Sequence, residues 1–203
     1  MTMDSHALPV HWWTPEAGFD AGLGFAPQPR VLAVGVAGQE EREPARRAIR
    51  QALRAALVRT CGVPEDAIML HGAPGEAPHA TVAFPDGARR AWLAISHDGA
   101  LSVAAIRFAG PVGIDVMRVV AVPDWGAVAR DYLGPAVLAA LAALPAAQRE
   151  AGFAHAWSER EARLKSLGLP LHEWRAEDEA ALQACTCLPL ALPEDYAGAL
   201  ALA

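Results

Sequence analysis

Residues 91–117 read AWLAISHDGALSVAAIRFAGPVGIDVM. Three apolar runs of strand length are separated by His97-Asp98-Gly99 and Ala109-Gly110-Pro111, both turn compositions. The segment therefore reads as three strands, 92–96, 101–108 and 112–117, joined by tight turns. Side chains alternate along a strand, so Val112, Ile114 and Val116 face one way and Gly113, Asp115 and Met117 the other. Asp115 is then a carboxylate within a strongly apolar strand, which is costly unless it is paired or bound to a metal.

Outward from this segment the pattern alternates between strands and helices. The first 30 residues, rich in Trp, Pro and Gly, read as an irregular arm, and 31–36 as a buried strand. From Glu43 to Arg59 the pattern is helical: Pro44 falls in the first turn, Ile49, Leu53 and Leu57 recur every four residues, and Arg46, Arg47, Arg50 and Arg54 occupy much of the remaining surface. Gly62 and Pro64 end that helix, and the Gly- and Pro-rich segment 71–79 reads as a loop. Two helices are expected at 125–144 and 153–167, then two strands within 182–203 around Pro193-Glu194-Asp195. Mixed elements with hairpin connections fit an α+β fold better than a doubly wound parallel sheet.

Composition narrows the function. The chain has 203 residues, a formal net charge of −6 and 53% apolar residues, enough for a real core and too apolar for disorder. It has no basic run, which argues against nucleic acid as the main partner. Three cysteines without C-x-x-C spacing suggest neither a disulfide framework nor a zinc ribbon, and fit a reduced, cytoplasmic protein. Residues 1–15 lack an apolar signal region, and the Ala/Leu stretch 137–147 is short and broken by Pro145, so no membrane role is expected. Sixteen of the 17 basic residues are Arg, so the single lysine, Lys165, stands out.

On the second helix Trp157, Glu161 and Lys165 lie at i, i+4 and i+8 along one stripe. Glu161 before Lys165 is also the favourable order for a solvated helical ion pair, which is the alternative reading. With Asp115 the stripe gains a second carboxylate. Two carboxylates and a cation near a Gly/Pro loop suit a divalent metal and a polyphosphate, and Mg²⁺ is the natural candidate because it bridges carboxylates and phosphate oxygens. His71, His79 and His97 are too dispersed for a zinc cluster, and neither a P-loop nor a G-x-S-x-G elbow is present.

Through Ile95-Ser96-His97-Asp98-Gly99, Val112-Gly113-Ile114-Asp115-Val116 and Ala156-Trp157-Ser158-Glu159-Arg160-Glu161-Ala162-Arg163-Leu164-Lys165, the chain resembles the Sfp-type 4′-phosphopantetheinyl transferases. That resemblance implies two pseudo-symmetric α+β halves, 1–110 and 111–203, the second carrying the metal site, with coenzyme A in the cleft between them. It implies transfer of phosphopantetheine to a serine of an apo acyl or peptidyl carrier protein, as in fatty acid or polyketide biosynthesis, by a monomer. Asp115 and Glu161 would hold Mg²⁺, Glu161 would help deprotonate the serine, and Lys165 would neutralise the leaving group. Ser96, His97, Arg160, Pro78, His79 and Arg46 (or its neighbour Arg47) would contact coenzyme A, the Gly75–His79 loop lining the nucleotide. Met117 stands where many members have a second acidic residue, and Arg160 replaces the usual lysine. The alternative of another class is a catalytically weak or inactive protein of the same fold that binds coenzyme A or a carrier protein.

Overall fold

A computed structural model describes residues 7–19, 23, 31–72 and 76–203. The described elements are strands β1 (Leu8–Thr14), β2 (Gly18–Phe19) and β3 (Leu32–Ala37), helix α1 (Arg42–Cys61), then strands β4 (Ile68–His71), β5 (His79–Phe84), β6 (Gly87–Asp98), β7 (Leu101–Arg107) and β8 (Val112–Arg118). Helices α2 (Trp125–Val128), α3 (Pro135–Ala143), α4 (Ala146–Ser166) and α5 (Glu179–Ala184) precede strands β9 (Thr186–Ala191) and β10 (Tyr196–Leu202). The mixed α+β content of the expectation is present.

One sheet runs in the order β4-β5-β6-β7-β3-β1-β9-β10-β8, with β2 paired to β1. Strand β1 pairs in parallel with both β3 and β9, whereas the other adjacent strands are antiparallel. This corrects the expected irregular arm: residues 8–14 are a strand that joins β3 to the C-terminal strands. The remainder of that arm, 1–6, 20–22 and 24–30, lies outside the described residues.

Two cores follow from the alternation. On one face α1 lays down Ile49, Leu53 and Leu57, with the small residues Ala48, Ala52 and Ala56, against Val34, Val36, Leu93 and Ile106. The second core puts Val112, Ile114 and Val116 of β8 against Ala94, Leu101, Val103 and Ala105 of β6 and β7. That side of β8 is the one expected to be apolar. Although β8 ends the sheet path, the sheet curls so that β6 reaches its open edge. The Val116 amide donates to Ser96 Oγ at 3.4 Å and the Arg118 amide to Asp98 Oδ2 at 2.6 Å. Ser96 and Asp98 sit two residues apart on β6, as Val116 and Arg118 do on β8, so one strand face satisfies an otherwise unpaired edge.

Other expectations shift for local reasons. Strand β6 continues through His97 and Asp98, leaving Gly99 and Ala100 as the turn. The expected loop 71–79 is shorter, because His71 ends β4 and His79 opens β5; the register pairs these two residues. The β4–β5 hairpin and the first part of β6 have no counterpart in the sequence reading. The expected helix 125–144 is broken into α2, a π-helical turn (Ala129–Leu133) and α3, because Pro135 cannot continue the backbone ladder. At the break Gly134 adopts φ +86°, and a Cβ there would meet the Trp174 indole at 2.4 Å. Helix α4 starts at Ala146 rather than Phe153, and residues 182–184, read as strand, close α5.

Candidate functional site

The site depends on how closely α4 approaches β8. A Cβ on Gly113 would lie 1.8 Å from the Ala162 carbonyl oxygen and 2.6 Å from the Ser166 nitrogen, so the helix backbone rests on the strand backbone. Ala162, Ala199 and Ala201 keep the same interface thin. Ser158, fully buried, donates its hydroxyl to the Ala154 carbonyl at 2.8 Å and the Ala197 carbonyl at 3.3 Å. This approach brings the 157/161/165 stripe of α4 beside Asp115, two positions along β8 from Gly113.

Lys165 joins the two carboxylates. Its Nζ donates to Asp115 Oδ1 at 2.6 Å and lies 3.3 Å from Glu161 Oε2, with the Ile114 carbonyl oxygen also at 3.3 Å. Ser96 Oγ donates to the same Asp115 Oδ1 at 2.7 Å, and Trp157 Nε1 donates to Glu161 Oε1 at 3.1 Å. Burial is the largest influence on Asp115 and raises its pKa to about 6; the negative Glu161 adds to this, while Lys165 and the Ser96 hydroxyl oppose it. An ordinary helical ion pair at Glu161 and Lys165 would not include Asp115, so the bland alternative describes only part of the arrangement.

These groups open onto a cleft of about 1550 Å³. Asp115, Met117, Trp157, Glu161 and Lys165 line it together with Arg42, Arg46, Arg47 and Arg50 of α1. Ser96, His97 and Asp98 of β6, Pro78 and residues 168–170 also line it. Walls therefore come from both sides of residue 110. Four arginines, one of them paired to Glu43 at 3.0 Å, and two carboxylates in one cleft give it groups fit for anions and groups fit for cations.

Not every expected residue comes to the cleft. Arg160 adjoins Glu161 in sequence, but one residue turns a helix by about 100°, so it points away. It is buried beside α5, its Nη1 3.6 Å from Glu179 Oε1, and its Nε and Nη2 lack hydrogen-bond partners among the described residues. Burial lowers its pKa from the ordinary arginine value. His79 stacks on His71 with ring centroids 4.6 Å apart, and is not part of the cleft lining. His97 lines the cleft with its Nδ1 2.9 Å from Ser102 Oγ. Ser96 lines it too, yet gives its proton to Asp115. Within the Gly75–His79 segment, Gly75 lies outside the described residues, as do positions 73 and 74 before it.

The sequence reading missed Arg42 and Arg50 as cleft residues. The available signal was the 42/46/50 spacing, which places them on one helical stripe. It also missed the role of Gly113, signalled only by a glycine inside an apolar strand.

The donor set suits a hard divalent cation in part. Two carboxylates already share a cation, the Lys165 ammonium, which marks a cationic position between them. Among the described residues no cluster of three His, Cys, Asp or Glu side chains is placed to hold a metal, and Met117 supplies no third carboxylate. Two carboxylates suffice for Mg²⁺ when waters and substrate oxygens complete the shell.

Residues 111–187 match the family model described as ACPS, the 4′-phosphopantetheinyl transferase superfamily. The matched stretch contains β8 and α4, and so Asp115, Glu161 and Lys165. It supports a transferase acting by phosphopantetheine transfer. No curated protein matches the chain. Among the described residues no helix is long and apolar enough to cross a membrane.

Proposed function

We propose that this protein transfers the 4′-phosphopantetheine group of coenzyme A to a serine of an apo acyl or peptidyl carrier protein, as a Mg²⁺-dependent transferase of the Sfp type. The observation that carries this reading is the convergence of Asp115, Glu161 and Lys165 in one cleft that arginines of α1 also line. Asp115 and Glu161 would hold Mg²⁺. When bound, the ion supplies positive charge to the pyrophosphate oxygens.

The serine oxygen forms a bond to the phosphorus that bears pantetheine, and the pyrophosphate P–O bond breaks to release adenosine 3′,5′-bisphosphate. Glu161, reachable from the cleft and oriented by Trp157, takes the serine proton. Lys165 places its charge where the leaving oxygen becomes negative. Arg46, with its α1 neighbours, offers charge-assisted hydrogen bonds to the remaining phosphate of coenzyme A. Ser96 acts by fixing Asp115 through their 2.7 Å hydrogen bond.

The test is intact-protein mass spectrometry of apo carrier proteins incubated with the protein, coenzyme A and Mg²⁺. One phosphopantetheine group should be gained, and none in EDTA. Asp115→Asn and Glu161→Gln should each lower transfer by roughly a hundredfold or more, the scale for losing a group that stabilises transition-state charge. Full activity in either variant would remove that residue from the site. Met117, in the cleft at the place of a carboxylate, favours a second reading, a protein that binds coenzyme A without transferring its arm. Coenzyme A binding with no mass gained by any carrier would establish it.

A further inference from the structure

We propose that Lys165 is an internal counter-cation occupying the divalent-metal position in the free protein, so that metal and substrate phosphates load together as the phosphates draw the ammonium off Asp115 and Glu161. The inference rests on the reading that these carboxylates take a divalent cation.

The geometry leaves the ammonium fully engaged. A lysine has three N–H donors and no acceptor. Within 3.3 Å of Nζ stand three acceptors: Asp115 Oδ1, Glu161 Oε2 and the Ile114 carbonyl oxygen. Lys165 cannot serve a phosphate in this position without giving up one of these acceptors, two of which are the carboxylates. Among the described residues it is also the only cation paired with either carboxylate, because the α1 arginines in the cleft form no ion pair with them. With the ammonium in place the carboxylate pair offers a metal one net negative charge instead of two, and Met117 adds none. A divalent ion arriving alone meets like-charge repulsion whether it displaces Nζ or binds beside it.

Departure of the lysine is equally well provided for. Its side chain is 32% exposed, facing the cleft on a flexible four-carbon stem, so the head can move while the stem stays packed on α4. Phosphate oxygens in the cleft would offer it new acceptors and give the metal further ligands. Each ligand thereby favours the other, and linkage makes the effect reciprocal.

Mn²⁺ is the probe. Its binding to the full chain at pH 8 is followed by electron paramagnetic resonance of the free ion, with and without saturating coenzyme A. Carrier protein is omitted, and coenzyme A alone serves as the control. Wild type should bind Mn²⁺ at least tenfold more tightly when coenzyme A is present. Lys165→Met should bind Mn²⁺ without coenzyme A about tenfold more tightly than wild type, with a smaller gain on adding it. Lys165→Gln repeats the measurement should the methionine variant fail to fold. Equal wild-type affinity with and without coenzyme A, or no tightening in the lysine variants, would overturn the inference and leave the metal reading standing. Failure of every form to bind Mn²⁺ would overturn both.

Discussion

Two of the ion pairs of helix α4 reach other elements, from different faces of the helix. Lys165 reaches Asp115 at 2.6 Å and opens onto the cleft, while Arg160 reaches Glu179 at 3.6 Å and is closed off beside α5, where Trp174 Nε1 also donates to Glu179 at 2.8 Å. Both join a cation of one motif to a carboxylate of another element. Each has a second carboxylate near it, Glu161 for Lys165 and Asp178 for Arg160, but only the first has room for a ligand. Accessibility therefore separates a candidate site from a structural contact, and neither adjacency within the motif nor a second carboxylate does.

The severest way to break this comparison is Gly113→Ala. The added Cβ would sit 1.8 Å from backbone that cannot move independently, so α4 must lift from β8. A loss of more than about 3 kcal/mol is expected in chemical denaturation, at the upper end for overpacking. Unchanged stability would mean that the helix does not rest on the strand there.

A second effect sharpens the contrast by pH. Asp115 titrates at about 6 in the folded protein against 3.8 for the free group. Its contribution is fully present below about pH 4 and is lost as pH rises through about 6, because the folded state binds the proton more tightly than the unfolded state. Between pH 4 and 7, metal-free wild type should lose up to about 3 kcal/mol relative to Asp115→Asn, measured by denaturation at each pH. A wild type that gains stability over this range would show that the Lys165 pairing outweighs burial.

The smallest expected effect belongs to the other face. Arg160→Met removes a desolvated charge with two unpartnered nitrogens, and Glu179 keeps its Trp174 hydrogen bond. Stability should change by only about 1 kcal/mol, since Glu179 is 35% exposed and water can solvate it once its partner is gone, whereas a fully buried carboxylate would be left uncompensated. Coenzyme A affinity, read by titration calorimetry, should stay within about twofold. A tenfold loss would return Arg160 to the cleft.

Much of the site could be read along the chain because it depends on local periods. A helical stripe carries Trp157, Glu161 and Lys165, and strand alternation puts Asp115 on the side opposite Val112, Ile114 and Val116. The α1 arginines followed the same rule but lacked a landmark to say which way they faced. The placement of β1 was hidden for a different reason. It lies between β3 and β9, of which β9 comes from the far end of the chain, and Trp- and Pro-rich sequence gives little sign of a strand there.

What the sequence alone determined was periodicity and residue chemistry: an α+β chain, an apolar strand with one carboxylate, and a helix with a carboxylate and a lone lysine four residues apart. Tertiary structure decided which of these meet. Only the packing of α4 on Gly113, and of β6 along the edge of β8, could show that Asp115 takes both Lys165 and Ser96 while Arg160 turns to Glu179. Such choices come from through-space contacts between elements tens of residues apart, and no local pattern in the chain encodes those distances.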